Sequence, residues 1–342
     1  MKISKNSKTF FVDDGADRGP LTMVRVRFHP HRPRLYAQCV DRRLALWDLD
    51  AEPEKVERKK EPYIVGELVC PHEIGWVRGF DVHPDGERIA TGGSDRTLRI
   101  WDCHDGVPSE KPLKNIAAHE GWVEGVVYSH SGDTIVSVGA DHQVKVWNAD
   151  DLELIKILAG HTAFCADVAV TNDGKYFVTG AEDGMAIVWD AKTLDEVRRI
   201  EFGSANTQTG QNPKHSGIHR LAVSHDSRWL AVAGGQSLSL FDLESGEIVA
   251  TERNNMDVAF DSRRDVLAGG ESEMKVWEYE TAKLTPPEKD KGGKPKSTSG
   301  VTGRVVSTVK RGEWSLGLSF SPDGKQLAIG KSDGTVELYD VT

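Results

Sequence analysis

Three sets of His, Ser or Thr, Asp and Trp residues recur in this sequence at nearly constant spacing. In each set the Ser or Thr lies four residues before the Asp, the Asp lies six before the Trp, and the His lies 22 or 23 before the Asp. A hydroxyl, an imidazole and a carboxylate are the groups that a nucleophilic hydrolase uses. Because the same spacing occurs three times, we interpret these sets as parts of a scaffold. We call them quartets: His72, Thr91, Asp95 and Trp101; His119, Ser137, Asp141 and Trp147; His161, Thr179, Asp183 and Trp189.

Other motifs for catalysis or metal binding are missing from the sequence. It contains no P-loop, no nucleophile elbow and no HExxH motif. None of the twelve His residues has ligand spacing with a Cys. A buried Trp N–H needs an acceptor and a buried carboxylate needs donors, so the quartets have a structural explanation. The sequence therefore predicts a protein that is not an enzyme, with no catalytic residues, no metal and no cofactor.

Short apolar segments carry the quartets. Around the second quartet these segments are residues 123–128, 134–138 and 144–147, and polar turn residues separate them. Such segments read as antiparallel β-strands. Three short strands cannot bury both faces of a small sheet, so the unit needs copies of itself to pack against. The sequence contains seven copies, which end at Trp47, Trp101, Trp147, Trp189, Phe241, Trp277 and Tyr339.

This recurring pattern resembles the WD40-repeat family. The resemblance implies an all-β, seven-bladed β-propeller with four strands, a to d, in each blade, and a hydrogen-bonded chain within each quartet. Repeat one departs from the pattern, with Ala37 in place of the Ser or Thr and no preceding His. We expect one domain over residues 1–342, with flexible inserts at about 50–62, 203–213 and 283–303.

The last blade would lack its outermost strand, because the chain ends at strand c of repeat seven. An isolated apolar segment at residues 8–12 has the right length to supply that strand. The sequence thus predicts a ring closed by its own N-terminal strand, with either Phe10 and Val12 or Phe11 alone buried against blade seven. A further strand is predicted at residues 63–69.

Composition limits the classes of partner. With a net charge of −10, the chain lacks the surplus of Lys and Arg that a general nucleic-acid binder needs. Its four scattered Cys residues fit a reducing compartment, and we find no signal peptide and no membrane-spanning run. We therefore expect a cytoplasmic protein with no membrane partner. The Lys-containing insert at 283–303 is either a regulatory or nucleic-acid tether or a solvated loop, and the sequence favours the loop.

In WD40 propellers the usual docking surface is the face with the d–a loops and b–c turns, here called the top face. The residues just after each quartet His lie there, and large aromatic residues occupy them, which is typical of binding hot spots. Neighbouring positions along the strands and turns add charged groups. The predicted partner site consists of Trp76, Arg78, Trp122, Glu124, Phe164, Glu182, His219 and Trp314.

The favoured function is a non-catalytic scaffold that binds a protein or peptide partner on the top face, as a monomeric ring within a larger complex. One alternative is a small-ligand-binding or enzymatic propeller that uses the mouth of the central channel. Another is a subunit of a nucleic-acid complex that contacts RNA or DNA weakly through residues 283–311. The partner's identity stays open at this point.

Overall fold

A computed structural model describes residues 3–12, 21–54, 64–202, 217–235, 237–253, 257–270, 273–279, 304–310 and 315–342. The predicted inserts at 203–213 and 283–303, most of the one at 50–62, and Trp314 lie outside these residues. Within them no helix has the length and apolar character to cross a bilayer.

The described residues form an all-β structure of seven sheets. The strands are β1 (Ile3–Phe11), β2 (Met23–Phe28), β3 (Arg34–Cys39), β4 (Leu44–Asp48), β5 (Ile64–Val65), β6 (Glu67–Val69), β7 (Val77–Val82), β8 (Arg88–Gly93), β9 (Thr97–His104), β10 (Val107–Pro108), β11 (Lys114–Ala117), β12 (Val123–Tyr128), β13 (Thr134–Gly139), β14 (Val144–Asn148), β15 (Leu154–Leu158), β16 (Cys165–Val170), β17 (Tyr176–Ala181), β18 (Met185–Asp190), β19 (Glu196–Glu201), β20 (Ile218–Val223), β21 (Trp229–Gly234), β22 (Ser237–Asp242), β23 (Ile248–Arg253), β24 (Asp257–Phe260), β25 (Val266–Gly270), β26 (Glu273–Glu278), β27 (Arg304–Lys310), β28 (Ser315–Phe320), β29 (Gln326–Lys331) and β30 (Thr335–Val341).

Each sheet is one blade of a seven-bladed propeller, as predicted. From the innermost strand outwards, blade one is β2-β3-β4-β6, and blade two is β7-β8-β9-β11 with the short β10 also paired to β9. Blades three to six are β12–β15, β16–β19, β20–β23 and β24–β27, and blade seven is β28-β29-β30-β1. The innermost strands β2, β7, β12, β16, β20, β24 and β28 surround the central channel.

The apolar core is divided among the junctions between blades. Seven clusters of buried side chains lie in the described residues, and each draws its members from two neighbouring blades. Between blades two and three, for example, Ile100 packs in one cluster with Val126 and Trp147. A blade is therefore stabilised mainly by burying its two faces against its neighbours.

Strand β1 closes the ring, and the predicted closure is confirmed. It pairs antiparallel with β30, with Phe10 opposite Val336, so the first strand of the chain completes the last blade. Phe10 and Val12 are buried, which is the first of the two predicted arrangements. The strand begins at Ile3, five residues earlier than the segment predicted from apolar residues alone.

The strand predicted at residues 63–69 is wrong as a single element. It is two strands in different sheets: β5 pairs parallel with β1, and β6 pairs antiparallel with β4. Gly66 separates them, and a Cβ at this position would lie 2.3 Å from Nε1 of Trp47. Close packing of the backbone against that indole explains why the chain changes sheet here.

Candidate functional site

The structure joins the four side chains of each quartet by hydrogen bonds. In blade three, Nε1 of Trp147 donates to Oγ of Ser137 at 2.8 Å, Oγ lies 2.8 Å from Nε2 of His119, and Nδ1 of His119 lies 2.8 Å from Oδ1 of Asp141. The equivalent distances are 2.9, 2.9 and 3.0 Å in blade two and 2.9, 2.8 and 3.2 Å in blade four. The side chains predicted as quartets thus form three copies of one network.

The direction of donation follows from the groups themselves. An indole N–H can only donate, so the hydroxyl accepts from Trp and donates its own proton to Nε2 of the His. The neutral His then carries its proton on Nδ1 and donates it to the Asp carboxylate. Burial lowers the pKa of His72 and His161 below the ordinary value, which favours this neutral form. Burial opposes ionisation of Asp141, but hydrogen bonds from His119 and from backbone N–H groups outweigh it and lower the pKa to about 2.

The order Ser or Thr, His, Asp is also that of a hydrolase triad, but here the hydroxyl is out of reach. Thr91, Ser137 and Thr179 have no solvent-accessible surface, and an indole N–H already occupies each oxygen. No substrate carbonyl can approach such an oxygen. The quartets instead fix the top-face loops, because Asp141 also accepts from the backbone N–H groups of Glu120 and Gln143.

Four residues of the predicted partner site lie together on blades two and three. Trp76 and Trp122 directly precede β7 and β12, and 48% of each side chain is exposed. The guanidinium carbon of Arg78 lies 4.6 Å from the ring centre of Trp122 and 6.0 Å from that of Trp76, within the range of cation–π attraction. Arg78 also forms an ion pair with Glu124. Both indoles therefore lie near the same cation.

The other predicted site residues are arranged less closely. Phe164 and Glu182 meet on blade four, where the Glu182 N–H donates to the Phe164 carbonyl at 2.9 Å; Glu182 is exposed and Phe164 is half-buried. His219 on blade five is half-buried, and burial with the neighbouring Arg220 lowers its pKa. Trp314 is outside the described residues.

Besides the predicted Arg78 and Glu124, the channel contains charged side chains that the sequence interpretation missed, namely Arg25, Asp167 and Arg220. A cavity of about 290 Å³ opens beside Trp76, and Arg25, Arg78, Glu124 and Arg220 contribute to its lining. Below it, Nη2 of Arg25 on blade one reaches Oδ1 of Asp167 on blade four at 2.7 Å. The available signal was a charged residue inside an apolar strand a, as in MVRVRF and CADVAV. We call this level of the channel the waist.

Metal binding finds no support in the described part of the chain. No group of three or more His, Cys, Asp or Glu side chains is placed there to hold an ion. The four Cys residues are buried as free thiols.

Comparison with known proteins identifies the repeats. Residues 68–102, 110–148, 152–190 and 305–340 match the family model described as "WD domain, G-beta repeat". The chain is 31% identical over 91 residues to histone acetyltransferase type B subunit 2 of Aspergillus fumigatus, which covers 26% of this chain and 20% of that protein. It is 41% identical over 46 residues to pre-mRNA-splicing factor prp5 of Schizosaccharomyces pombe, or 14% of this chain and 10% of that protein. The chain thus spans a fifth or less of the length of these relatives.

Proposed function

Since the chain belongs to the WD40-repeat family and folds as a seven-bladed propeller, we propose that it is a non-catalytic scaffold that binds a protein or peptide partner on its top face. The observation that carries the proposal is the pair of half-exposed indoles, Trp76 and Trp122, near Arg78. Large aromatic side chains that are partly exposed beside a concavity are the usual anchors of a protein interface. The buried hydroxyls of the quartets support the non-catalytic part.

The relatives support a place in a larger assembly. One is described as a subunit and the other as a splicing factor, and both share repeat segments with this chain. A monomeric ring that presents a rigid docking face would suit such a role. The partner site would extend from Trp76, Arg78, Trp122 and Glu124 towards Phe164, Glu182, His219 and Trp314.

Affinity capture with mass spectrometry tests the docking face. We expect the double variant Trp76→Ala/Trp122→Ala to lose partners that the wild type recovers, because removal of an anchor costs about 2 kcal/mol or more. The matched control is Ile155→Ala/Ile157→Ala, which removes two equally exposed apolar side chains from the outer strand β15. If the indole variant still captured the partners and the control variant did not, the interface would lie on the outer strands of the propeller instead.

Small-ligand binding at the channel mouth is the second candidate, and the 290 Å³ cavity beside Trp76 favours it. A cavity of this size is near the lower end of the range for small-molecule sites. A thermal-shift screen distinguishes the two functions, since a metabolite that raises the melting temperature of the wild type but not of an Arg78→Ala variant would support the second.

A cytoplasmic location completes the proposal. Four buried free thiols are consistent with a reducing compartment. Fluorescence microscopy of a tagged chain should show cytoplasmic signal, and signal confined to the nucleus or to the medium would contradict it.

A further inference from the structure

One position of the innermost strands forms a ring of charges and glycines at the waist. In every blade except the sixth, this position directly follows a register shift in the pairing between strands a and b. In the sixth blade the equivalent position is Asp257, which pairs with Gly270 of strand b. In blade order the seven residues are Arg25, Gly79, Gly125, Asp167, Arg220, Asp257 and Gly317. A Cβ at Gly79 would lie 2.8 Å from Cα of Gly125, and one at Gly317 would lie 3.0 Å from Cα of Arg25, so the glycines allow neighbouring inner strands to pack closely. The side chains at this level are therefore those of two Arg and two Asp residues.

The two Arg–Asp pairs of this ring differ in their hydrogen bonds. Both carboxylate oxygens of Asp167 accept hydrogen bonds. Oδ1 accepts from Arg25 and from the Val168 N–H, and Oδ2 accepts from the Leu221 N–H at 2.9 Å. Among the described residues, Asp257 accepts only from the Val258 N–H, and Nε of Arg220 lies 3.7 Å from Oδ1, beyond hydrogen-bond distance.

Unused polar atoms therefore remain at the waist. Among the described residues, Oδ2 of Asp257 and Nε of Arg25 are buried without a hydrogen-bond partner. Only 6% of the Asp257 side chain is exposed. Buried polar atoms of this kind cost free energy unless a ligand or water satisfies them.

A cavity below the waist borders the residues that carry these atoms. Its volume is about 410 Å³, all seven blades line it, and Arg25, Arg220 and Asp257 are in its wall. It extends to the exposed a–b turn residues Pro84, His130 and Asn172 on the face opposite the top face. A single water needs only about 10–15 Å³ of such space, so the cavity has room for a small ion and its water shell.

Burial favours the protonated form of Asp257. Burial raises the pKa of this carboxyl to about 7, and the nearby Asp167 raises it too, while Arg220 and Arg25 oppose the rise. The described residues of the adjacent strands β21, β25 and β28 contribute no titratable side chain. With Asp257 protonated, the waist carries two guanidinium groups and only one carboxylate. The Asp257 carboxylic acid and Nε of Arg25 can then both donate a hydrogen bond.

We propose that the cavity below the waist binds one small oxyanion between Arg25 and Arg220, and that wherever Asp257 is ionised the anion enters together with a proton that this carboxylate takes up from solvent. The bound anion then accepts from the two guanidinium groups and from the carboxylic acid O–H. Because one negative charge and one proton enter together, the net charge of the cavity does not change. This site is independent of the top-face docking proposed above.

Isothermal titration calorimetry with acetate tests the site, in cationic buffers at constant chloride. Acetate keeps its charge between pH 6 and 8.5, so any change in affinity reports on the protein. We expect affinity to fall about tenfold per pH unit above 7, or roughly 30-fold between pH 6 and 8.5. Titration at pH 8.5 in two buffers of different ionisation enthalpy should show uptake of about one proton per acetate.

Two near-isosteric variants sharpen the test, with circular dichroism as a check on folding. Asp257→Asn imitates the protonated carboxyl and should bind acetate with equal affinity at both pH values, close to that of the wild type at pH 6. Asp81→Asn is the matched control, since Asp81 lines the same cavity but already accepts from the Tyr128 N–H and pairs with Arg27, and it should keep the pH dependence. Absence of acetate binding to the wild type at pH 6, equal wild-type affinity at both pH values, or pH dependence that persists in Asp257→Asn would each overturn the proposal.

Discussion

At the scale of single residues, two buried carboxyl groups differ in how readily they ionise, because the fold gives them different surroundings. The quartet carboxylate of Asp141 has several donors and is readily ionised, whereas Asp257 at the waist has one hydrogen bond and resists ionisation. Burial opposes the charge of both groups, but Asp257 is almost completely buried and Asp141 only partly, so the depth of burial and the number of donors together decide the outcome.

The central hydroxyl of a quartet should contribute strongly to stability. Ser137→Ala leaves both the Trp147 N–H and Nε2 of His119 without a partner, so we expect the free energy of unfolding to fall by about 2–3 kcal/mol. Urea denaturation measures it. The control is Ser239→Ala, whose buried hydroxyl has one long contact, 3.3 Å to Thr251, and which should cost about 1 kcal/mol or less. Equal losses would show that the network adds nothing to the burial of a serine.

Asp257 should make stability depend on pH in the opposite sense to a quartet Asp. Burial raises the pKa of its carboxyl from the ordinary 3.8 to about 7, so its contribution to stability is lost as pH rises from 3.8 to 7. The stability of Asp257→Asn relative to wild type should therefore grow by about 1.4 kcal/mol per pH unit over this range. Urea denaturation at several pH values between 4.5 and 7.5, without acetate, measures the slope.

Asp141→Asn is the control for that experiment. Because the pKa of Asp141 is lowered from 3.8 to about 2, its stabilising effect is complete above pH 3.8 and is lost only below it. The difference from wild type should then be flat between pH 4.5 and 7.5. A flat line for Asp257→Asn as well would mean that its carboxyl is ionised throughout this range.

At the scale of elements, strand β1 stabilises two blades at once. It adds the outer strand to blade seven through β30, and its Phe11 carbonyl accepts from Nε1 of Trp47 in blade one at 2.9 Å. Repeat one has Ala37 where the three quartet Trp residues find a hydroxyl, so β1 supplies the missing acceptor. The same carbonyl also accepts from the Gly66 N–H at 2.8 Å, which joins β5 to the closing strand.

Phe10 should be the most sensitive side chain of this strand. It is fully buried among residues of blades one and seven and lies edge-on to Trp47, with 6.1 Å between ring centres. We expect Phe10→Ala to lower the free energy of unfolding by about 3–5 kcal/mol. Phe11→Ala is the control, because that ring is only half-buried and its backbone carbonyl stays in place, so the loss should be clearly smaller. A larger loss of unfolding free energy for Phe11→Ala than for Phe10→Ala would mean that Phe11, and not Phe10, faces the core.

At the scale of the whole molecule, the ring depends on seven junctions, and turns opposite the top face reinforce some of them. His29 in blade one lies 3.0 Å from the Gly86 carbonyl of blade two, and His83 lies 3.2 Å from the Gly132 carbonyl of blade three. Each contact joins an a–b turn to the next one, so neighbouring blades are held at both their faces and their ends.

Removal of residues 1–14 should open this ring. Without β1, the outer edge of β30 loses its partner and the junction between blades seven and one loses Phe10 and Val12. We expect the melting temperature to fall by several degrees and the truncated chain to self-associate through the unpaired edge. Scanning calorimetry and sedimentation velocity measure the two effects. An unchanged melting curve would contradict closure by this strand.

The sequence by itself determined the number of blades, the quartets and the closing strand, because each depends on a local pattern that repeats along the chain. Trp or its substitute marks every strand c, and an apolar segment such as residues 8–12 can be recognised without knowing its partner. Only the tertiary structure decided that the Phe11 carbonyl accepts a hydrogen bond from Trp47 and that residues 64–69 divide between two sheets. It also decided that Arg25 forms an ion pair with Asp167 across the channel. These contacts join residues that are distant along the chain, and they exist only once the ring has brought all seven inner strands around one axis.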